Sequence, residues 1–543
     1  MAPLHVILTH VTFDDTFYFL KIARNIALNH KISFDGIEMT NGFQPLWEIL
    51  LVPIMFFVNN REIALSLSLS LSSLLSMGTL LFLYKIVKTL YSDTAAFFAV
   101  IIWGTNIELI RMETSGMEFS LSCVMLSWII YFYVTRFKLN KNPRGRDYSL
   151  LGLLTGFVIL ARTDAIFITF SFFILICFAK KDRIKSLLRF SVFTSIILLP
   201  YFAWNIIYFG KLMPISGAVK EWMSNLIITQ TYNGYFSLSY IKNFIFYQAW
   251  QGFLSVTWIF NSYFTPFREY LPFLERNFEI KVALLLVLFI LFIIIYSIVS
   301  YREKSALLKS LNYLSPIFLF ILFHYTYYHF YSFWESMSTY YAVEYLVAII
   351  IISMSLDFFF TEIIKKAISN ETIFKGVTFS LIFFMTIYLY ILLGNYGVKN
   401  KLRTGDSLKA PAITWPADEM LEAAKWINAN VEKGTRVGCW DAGIIGYFTD
   451  CHVICLDGLV NDFELLKFKK NGKFDKYIKE KNIAYIAQFF NEDELNNPIP
   501  FRRAYTEIME FNKIRYSDYF SSSISLIYRK ESGFRDFYVY KLR

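Results

Sequence analysis

Residues 63–84 read IALSLSLSLSSLLSMGTLLFLY, a run that contains no charged side chain. A helix of about 20 such residues spans the hydrocarbon core of a bilayer. Comparable apolar runs recur near residues 93–110, 117–136, 148–162, 164–180, 188–208, 280–300, 311–331, 340–361 and 374–394. The sequence therefore predicts a multi-spanning α-helical membrane protein with ten spans.

The overall composition favours the same fold class. Of 543 residues, 56% are hydrophobic and 19% are aromatic, and the mean hydropathy is +0.43. The formal net charge is +10, but Lys and Arg lie mainly in short loops between the apolar runs and in the C-terminal part. They form no dense basic stripe of the kind that binds nucleic acid. We expect contacts with membrane lipids and no nucleic-acid partner.

Basic residues in alternate loops predict the orientation of the spans, because cytoplasmic loops carry an excess of Lys and Arg. These residues are Lys85, Lys88, Lys138, Lys141, Arg144, Arg146, Lys180, Lys181, Arg183, Lys185, Arg302, Lys304, Lys309, Lys365, Lys366 and Lys375. The other loops and both termini are then external. This orientation requires LWEILLVPIMFFV, residues 46–58, to lie at the membrane surface or to be only partly inserted. The apolar stretch in MAPLHVILTHVTF is also too short to span, which is compatible with a missing first helix.

The character of the sequence changes near residue 400. Beyond it, ADEMLEAAKWINANV has a helical pattern, and TRVGCW, HVICLDG, IAYIAQF, SSISLIYRK and DFYVYKLR are strand-like. We predict a transmembrane domain over residues 1–400 and a small extracytoplasmic α/β domain over residues 401–543. Cys439, Cys451 and Cys455 lie together in this second domain, where one disulfide is possible and a zinc site is not indicated by their spacing.

An acidic pair begins the first helical pattern, in FDDTFYFLKIARN (13–25). Asp14 and Asp15 suit a helix N-terminus, and capping alone would explain them. Tyr18 and Lys21 follow Asp14 on one helix face, and SFDGIEMTNGFQPLW (33–47) supplies turn residues nearby. Together these residues indicate a polar site at the external membrane surface.

The stretches DDTFYFLKIARNIA and FDGIEMTNGFQPLW resemble bacterial membrane proteins of the GT-C superfamily, relatives of protein mannosyltransferases and arabinofuranosyltransferases. The resemblance continues through METSGME (112–118), LARTDAIF (160–167), YFGKLMPISGAVK (208–220), WDAGIIGYF and LDGLVNDF. It thus covers nearly the whole chain. GT-C enzymes carry an acidic pair in the first external loop.

The resemblance implies a glycosyltransferase that uses a polyprenyl-phosphate sugar donor. Asp14 or Asp15 would be the catalytic base that deprotonates the acceptor hydroxyl, and a single displacement would invert the anomeric carbon. Proton removal by a positioned carboxylate contributes about 10²–10⁴-fold to such a step. The leaving phosphate needs positive charge, for which Arg162 and Lys220 are candidates and Lys211 is a third. An ion pair with Asp164 would explain Arg162 equally well, and interfacial positioning would explain the lysines.

Further polar residues at predicted external ends are candidates for substrate contacts. The set is Tyr18, Lys21, Glu113, Glu118, Asp164, His324 and His329. Glu113 and Glu118 bracket a turn and could join the acidic pair around a sugar or a divalent cation, Mg²⁺ or Mn²⁺. They could also be solvated surface groups, and no residue spacing specifies a metal site.

These features predict a transferase in the plasma (inner) membrane with its C-terminal domain in the periplasm or outside the cell. Its partners would be a polyprenyl-phosphate sugar and an envelope glycan, lipid or protein as acceptor. Two alternatives stay open. One is an oligosaccharyltransferase or ligase with a diphosphate-linked donor, and the other is a transporter or non-catalytic glycan-binding membrane protein.

Overall fold

A computed structural model describes residues 11–140, 142–178, 182–248, 278–301, 306–331, 338–364, 417–490, 524–530 and 536–542, with isolated residues in 4–8 and 250–263. The part before residue 365 is helical. Its α-helices are α1 (Asp14–Asn29), α2 (Pro45–Phe57), α3 (Arg61–Leu90), α4 (Asp93–Thr105), α5 (Ile107–Thr114), α6 (Phe119–Tyr133), α7 (Gly145–Ala161), α8 (Phe167–Cys177), α9 (Arg183–Phe209), α10 (Ile215–Tyr232), α11 (Leu238–Asn243), α12 (Phe278–Tyr301), α13 (Ala306–Tyr313), α14 (Ser315–Thr326) and α15 (Ala342–Phe358).

Shorter helical turns connect or extend several of these helices. Four are π-helical, at Val134–Leu139, Phe244–Gln248, Tyr327–Tyr331 and Phe359–Ile364, and two are 3₁₀-helical, at Thr163–Ile166 and Ser338–Tyr340. Polar side chains define where the long helices begin. Asn60, for example, accepts the backbone N–H groups of Glu62 and Ile63 and so caps α3.

Four helices of the described chain are long and apolar enough to cross a bilayer: Arg61–Leu90, Phe119–Leu139, Arg183–Phe209 and Ala342–Glu362. The count is six if each bent pair, Asp93–Thr105 with Ile107–Thr114 (68°) and Ala306–Tyr313 with Ser315–Tyr331 (55°), forms one span.

The other predicted spans are shorter in the structure or not described. Runs 148–162 and 164–180 overlap α7 and α8, which have 17 and 11 residues, less than the usual length of about 20. Run 280–300 lies in α12, and run 374–394 lies outside the described residues. Placement of the spans in a bilayer stays a prediction.

Helix α2 has the short length that the charge pattern requires of residues 46–58. It contains 13 residues, with Trp47, Leu51 and Met55 buried on one side. Phe56 and Phe57 are 60% and 82% exposed at its C-terminal end. A helix of 13 residues is shorter than the roughly 20 residues that a full crossing needs.

The C-terminal part contains a five-stranded mixed sheet in the order β2-β1-β3-β5-β4. Its strands are β1 (Arg436–Cys439), β2 (His452–Cys455), β3 (Tyr485–Phe490), β4 (Ile524–Lys530) and β5 (Asp536–Leu542), and its helices are α16 (Ala417–Asn430), α17 (Gly443–Phe448), α18 (Phe463–Lys470) and α19 (Phe474–Glu480). Strands β1, β2 and β3 pair in parallel, and β5 pairs antiparallel with β3 and β4. The small α/β unit predicted here is confirmed, whereas the boundary predicted at residue 400 lies outside the described residues.

The C-terminal unit packs directly on α1 and on the loop between α1 and α2. Arg61 donates to the carbonyl groups of Phe448 and Thr449 and pairs with Asp450 at 2.8 Å. The His452 ring lies 2.7 Å from the carbonyl oxygen of Asp35. A single hydrophobic core cluster includes Phe17 of α1 and residues of the sheet. The two parts therefore share one interior in the structure.

All five cysteines are free thiols. Cys439 and Cys455 occupy paired positions on adjacent parallel strands, yet each thiol contacts a nearby aspartate oxygen instead of the other sulfur. The disulfide considered possible among Cys439, Cys451 and Cys455 is not formed in this structure.

Candidate active site

Asp14 is held by the C-terminal unit. Its two carboxylate oxygens accept the backbone N–H groups of Gly443 and Ile444 at 2.9 and 2.8 Å, at the start of α17. Burial and the nearby Asp441 raise the pKa of Asp14, and the two N–H groups oppose that shift. Both oxygens are thus occupied by the protein. Asp14 connects two parts of the chain, and each of its oxygens accepts one hydrogen bond from α17.

Asp15 faces a different environment. It is partly exposed, and with the described residues its carboxylate forms neither a hydrogen bond nor an ion pair. Burial raises the pKa of Asp15 to about 6, and Lys220 opposes the shift whereas Asp457 and Glu118 reinforce it. An unpaired carboxylate with a pKa near neutrality has the properties of a general base.

Two cations lie against Tyr340 beside Asp15. The Lys220 ammonium contacts the Tyr340 hydroxyl and lies 4.9 Å from the ring centroid. The Arg162 guanidinium carbon lies 4.6 Å from the same centroid. Although burial opposes it, the Tyr340 hydroxyl and Asp15 raise the pKa of Lys220, so this ammonium stays charged. Helices α7 and α10, distant in sequence, thereby place two positive charges around one aromatic ring.

Arg162 is fixed by a set of buried acceptors at the end of α7. Its Nε donates to Asp164 at 2.9 Å, and its Nη1 donates to Glu118 at 3.2 Å and to the Thr339 carbonyl at 2.8 Å. The residue is only 4% exposed. The ion pair between Arg162 and Asp164, which the sequence allowed as an alternative, is present, and Glu118 is a second carboxylate partner. A buried guanidinium with acceptors on several sides is held in one orientation.

The two candidate histidines lie inside the helical part and hold other side chains. His324 Nδ1 lies 2.8 Å from Glu344, and its Nε2 lies 3.8 Å from Asp164. Asp164 also accepts the Tyr328 hydroxyl at 2.5 Å. His329 Nε2 lies 3.0 Å from the Tyr341 hydroxyl. Both histidines are at most 5% exposed, so their contacts in the structure position protein groups. Direct substrate contact by either ring stays a prediction.

The C-terminal unit adds Asp457 to this region. Tyr18 lies within 3.4 Å of an Asp457 carboxylate oxygen and of the Trp440 carbonyl, and its hydroxyl accepts the Ala442 N–H at 3.2 Å. Lys469 donates to the Asp457 carbonyl at 3.0 Å. Burial raises the pKa of Asp457 and lowers that of Lys469 to about 8. Tyr18 therefore connects the acidic helix α1 to the loop after β2.

Three of the predicted site residues lie elsewhere. Lys21 is buried farther along α1, where burial, Arg61 and Arg24 lower its pKa to about 8. Glu113 accepts hydrogen bonds from Ser76 and from the Trp103 indole, the latter at 2.9 Å. Lys211 is exposed in the loop between α9 and α10. The structure thus gathers Asp15, Tyr18, Glu118, Arg162, Asp164 and Lys220 into one region, with Asp14 beside them.

Tyr340, Tyr328 and Asp457 were not assigned to this cluster from the sequence. Tyr340 and Asp457 carry ambiguous signals, because an aromatic residue at a span end suits an interfacial belt and an aspartate after a strand suits a turn. Tyr328 lies within an apolar run, and its local sequence does not indicate a functional role. Only tertiary packing places Tyr340 and Tyr328 near Arg162 and places Asp457 near Tyr18.

The described residues do not form a divalent-cation site. No group of three or more His, Cys, Asp or Glu side chains among them could hold a metal ion. The nearest carboxylates are engaged in other ways, since Asp14 binds backbone N–H groups and Glu118 binds Arg162.

Comparison with known proteins shows what this chain is similar to. A family model described as dolichyl-phosphate-mannose-protein mannosyltransferase matches residues 50–208. The crystal structure of ArnT from Cupriavidus metallidurans bound to undecaprenyl phosphate aligns with 98% of this chain and 95% of its own, at 12% identity and a TM-score of 0.50. The resemblance to the GT-C glycosyltransferases is confirmed.

Two structures of another GT-C protein agree with this result. The oligosaccharyltransferase AglB from Archaeoglobus fulgidus, in complex with an inhibitory peptide and a dolichol-phosphate, aligns with 97% of this chain and 70% of its own, at 12% identity and a TM-score of 0.50. The Archaeoglobus fulgidus oligosaccharyltransferase with Zn and sulfate aligns with 89% of this chain, at 13% identity and a TM-score of 0.51. This chain covers 65% of that second structure. At these identities the likeness shows the GT-C fold.

The C-terminal unit has its own match. A family model for a domain of unknown function, DUF8728, covers residues 411–538. No curated protein matches the chain significantly.

Proposed function

We propose that this chain transfers a sugar from a polyprenyl-phosphate donor to a hydroxyl of an envelope glycan, lipid or protein. The reaction takes place at the outer face of the plasma membrane, where the external ends of the helices meet the C-terminal unit. The observation that carries the proposal is the unpaired Asp15 near Lys220, which shares the Tyr340 ring with Arg162. Displacement of a sugar from a phosphate requires a base for the acceptor hydroxyl and positive charge for the leaving phosphate.

In the proposed reaction, Asp15 accepts the proton of the acceptor hydroxyl as its oxygen attacks the anomeric carbon. The bond between that carbon and the phosphate oxygen breaks, and the polyprenyl phosphate leaves with the bonding electrons. One displacement inverts the anomeric configuration. Asp14, whose oxygens both accept backbone N–H groups, is assigned a positioning role.

Arg162 and Lys220 stabilise the negative charge that develops on the leaving phosphate. Their side chains flank Tyr340, and the acceptors around Arg162 hold the guanidinium in place before substrate binds. Charge that is oriented in advance stabilises a transition state without reorganisation. The match to ArnT with undecaprenyl phosphate and to AglB with a dolichol-phosphate supports a polyprenyl-phosphate lipid at this place.

The C-terminal unit forms the acceptor side of the site in this proposal. Asp457 lies near Asp15 and is tied to α1 through Tyr18. A carboxylate opposite the base can accept a hydrogen bond from a second hydroxyl of the acceptor. An acceptor with neighbouring hydroxyl groups, such as a glycan, would use both carboxylates.

The test is release of polyprenyl phosphate from a panel of polyprenyl-phosphate sugars by the purified full chain. Asp15→Asn is expected to reduce acceptor-dependent release by about 10²–10⁴-fold. Asp475→Asn is the control, because it makes the same change at an exposed aspartate of α19 outside the site. Full activity of Asp15→Asn, with its fold intact, would exclude Asp15 as the base.

The likeness to the archaeal oligosaccharyltransferase favours a second candidate, transfer from a diphosphate-linked donor. The same assay separates the two donors, because the product would be polyprenyl diphosphate and the sugar would come only from diphosphate-linked lipids. Absence of turnover with either donor class, in the presence of saturable glycan binding, would instead support a non-catalytic binding protein.

A further inference from the structure

An aromatic groove opens between α3 and the C-terminal end of α6, away from Asp15. It is an open cavity of about 250 Å³ lined by Phe82, Trp128, Tyr131, Phe132, Thr135 and Arg136. The Phe82 and Trp128 rings stack at a centroid distance of 6.0 Å and an interplanar angle of 14°. Trp128 is 42% exposed. The floor of the groove is therefore a flat apolar surface that is accessible from outside the protein.

The helix that forms one wall changes its geometry at this groove. After Tyr133, α6 continues as the π-helical turn Val134–Leu139. The Thr135 hydroxyl donates to the Tyr131 and Phe132 carbonyl groups at 2.8 and 3.1 Å, which satisfies acceptors inside this turn. A π-helical turn rotates the following side chains relative to a regular helix and often occurs at functional sites. Here it places Arg136 at the cavity.

Positive charge lies on both walls without a carboxylate partner. Lys85 of α3 lies 5.9 Å from the ring centroids of Phe82 and Tyr131, and Arg136 lines the opposite wall. Within the described chain neither residue forms an ion pair, whereas the neighbouring Lys88 pairs with Asp93 at 2.7 Å. Lys85 is one of the residues whose pattern predicts a cytoplasmic location, and Arg136 ends the apolar run that precedes Lys138 of the same set.

We propose that this groove binds one anionic phospholipid of the cytoplasmic leaflet. Lys85 and Arg136 contact the phosphate-containing headgroup, and the lipid chain lies on the stacked Phe82 and Trp128 rings. The cavity is smaller than the roughly 300–1,000 Å³ of small-molecule pockets, so it accommodates a headgroup while the acyl chains stay in the bilayer. Unpaired basic side chains near the membrane surface attract anionic headgroups. This inference requires the predicted bilayer placement but no catalytic activity.

Fluorescence of Trp128 tests the proposal with the full chain in lipid nanodiscs. Its emission is obtained as the difference between the unsubstituted chain and Trp128→Phe. Bromine quenches indole fluorescence only at short range, so a brominated lipid reports its own presence next to Trp128. One lipid mixture contains brominated phosphatidylglycerol in phosphatidylcholine, and the other contains brominated phosphatidylcholine in phosphatidylglycerol. The test variant combines Lys85→Gln with Arg136→Gln. The control variant, Arg183→Gln, removes an exposed cation from another predicted cytoplasmic helix end.

Phosphatidylglycerol is expected to be enriched next to Trp128 over its bulk fraction by roughly fivefold per cation. The double variant should reduce this enrichment to the bulk value, and Arg183→Gln should retain it. Equal quenching by both brominated lipids, or enrichment that the double variant keeps, would overturn the proposal. Loss of quenching on addition of polyprenyl phosphate would assign the groove to the donor lipid and would also overturn it. Release of polyprenyl phosphate is expected to be unchanged in all of these variants, so the result is independent of the catalytic proposal.

Discussion

Asp14 and Asp15 are adjacent in sequence, but their carboxylates point in different directions from the first turn of α1. Consecutive residues of an α-helix point about 100° apart, so one carboxylate meets the C-terminal unit while the other faces Lys220 and Glu118. The same acidic pair therefore contains a capping group and a candidate base. Asp14 does not cap its own helix, as the sequence allowed, but accepts N–H groups at the start of α17, and the role of Asp15 as a base stays a proposal.

The pH dependence of the reaction should report Asp15. Burial raises its pKa to about 6 from an ordinary value near 4. A base must be ionised to accept a proton, so kcat/KM should fall as the pH decreases through about 6 and should be level above it. The measurement is kcat/KM for polyprenyl phosphate release between pH 4.5 and 8. An acid limb near pH 4 would contradict the assignment of Asp15 in this environment.

Asp14→Ala is expected to lower the stability of the chain. The substitution leaves the N–H groups of Gly443 and Ile444 without their acceptor, at a cost of about 1–3 kcal/mol. Thermal unfolding of the purified chain in detergent would measure it. Asp475→Ala removes an exposed aspartate in the first turn of α19 and should be close to neutral. Equal effects of the two substitutions on thermal unfolding would show that the contact between Asp14 and α17 adds little to the stability of the chain.

At the scale of elements, α17 is the point at which the C-terminal unit meets α1. Its first residue lies so close to Asp14 that only a glycine fits there. A β-carbon on Gly443 would lie 2.1 Å from the Asp14 carbonyl oxygen, and one on Gly42 would lie 2.0 Å from the Leu459 carbonyl oxygen. Close approach of backbone to backbone at both places brings the strand-end loops to the acidic helix.

Gly443→Ala should therefore loosen this contact. The clash involves backbone atoms that cannot rotate away, and overpacking of this kind costs about 1–3 kcal/mol. Limited proteolysis of the C-terminal unit should become faster in the variant. Gly104→Ala is the matched control, because its added β-carbon would meet Leu80 at an ordinary 3.7 Å. Unchanged proteolysis of Gly443→Ala would contradict the packing described for α1 and α17.

At the scale of the whole molecule, the site lies where the helical part and the C-terminal unit meet. Arg162 and Lys220 come from the helical part, and Asp457 comes from the loop after β2. Arg61 and the His452 contact hold the two parts together around this region. If the helices lie in the bilayer as the loop charges predict, the site is on the outer surface and the groove at Arg136 is on the inner surface.

Cysteine labelling tests this orientation. Lys433→Cys, at an 82% exposed position of the C-terminal unit, should react with a membrane-impermeant maleimide on intact cells. Asn142→Cys, in the predicted cytoplasmic loop before α7, should react only after the membrane is opened. The unsubstituted chain is the control for the native cysteines, most of which are buried. Labelling of both positions, or of Asn142→Cys alone, on intact cells would overturn the topology.

The sequence by itself determined the features that depend on local pattern. The apolar runs indicated membrane helices because they match the thickness of a bilayer, and the alternating segments after residue 400 indicated the small α/β unit. The acidic pair stood out at the start of a helical pattern, whereas Arg162 and Lys220 were candidates through the resemblance to GT-C enzymes.

Only the tertiary structure decided which of these residues act together. It separated Asp14 from Asp15, moved Lys21 and Glu113 away from the cluster, and brought Tyr340, Tyr328 and Asp457 to Arg162, Lys220 and Tyr18. These contacts join residues far apart in sequence, up to 439 positions for Tyr18 and Asp457. They arise from how whole helices pack and how the C-terminal unit meets them, so no local pattern of residues encodes them.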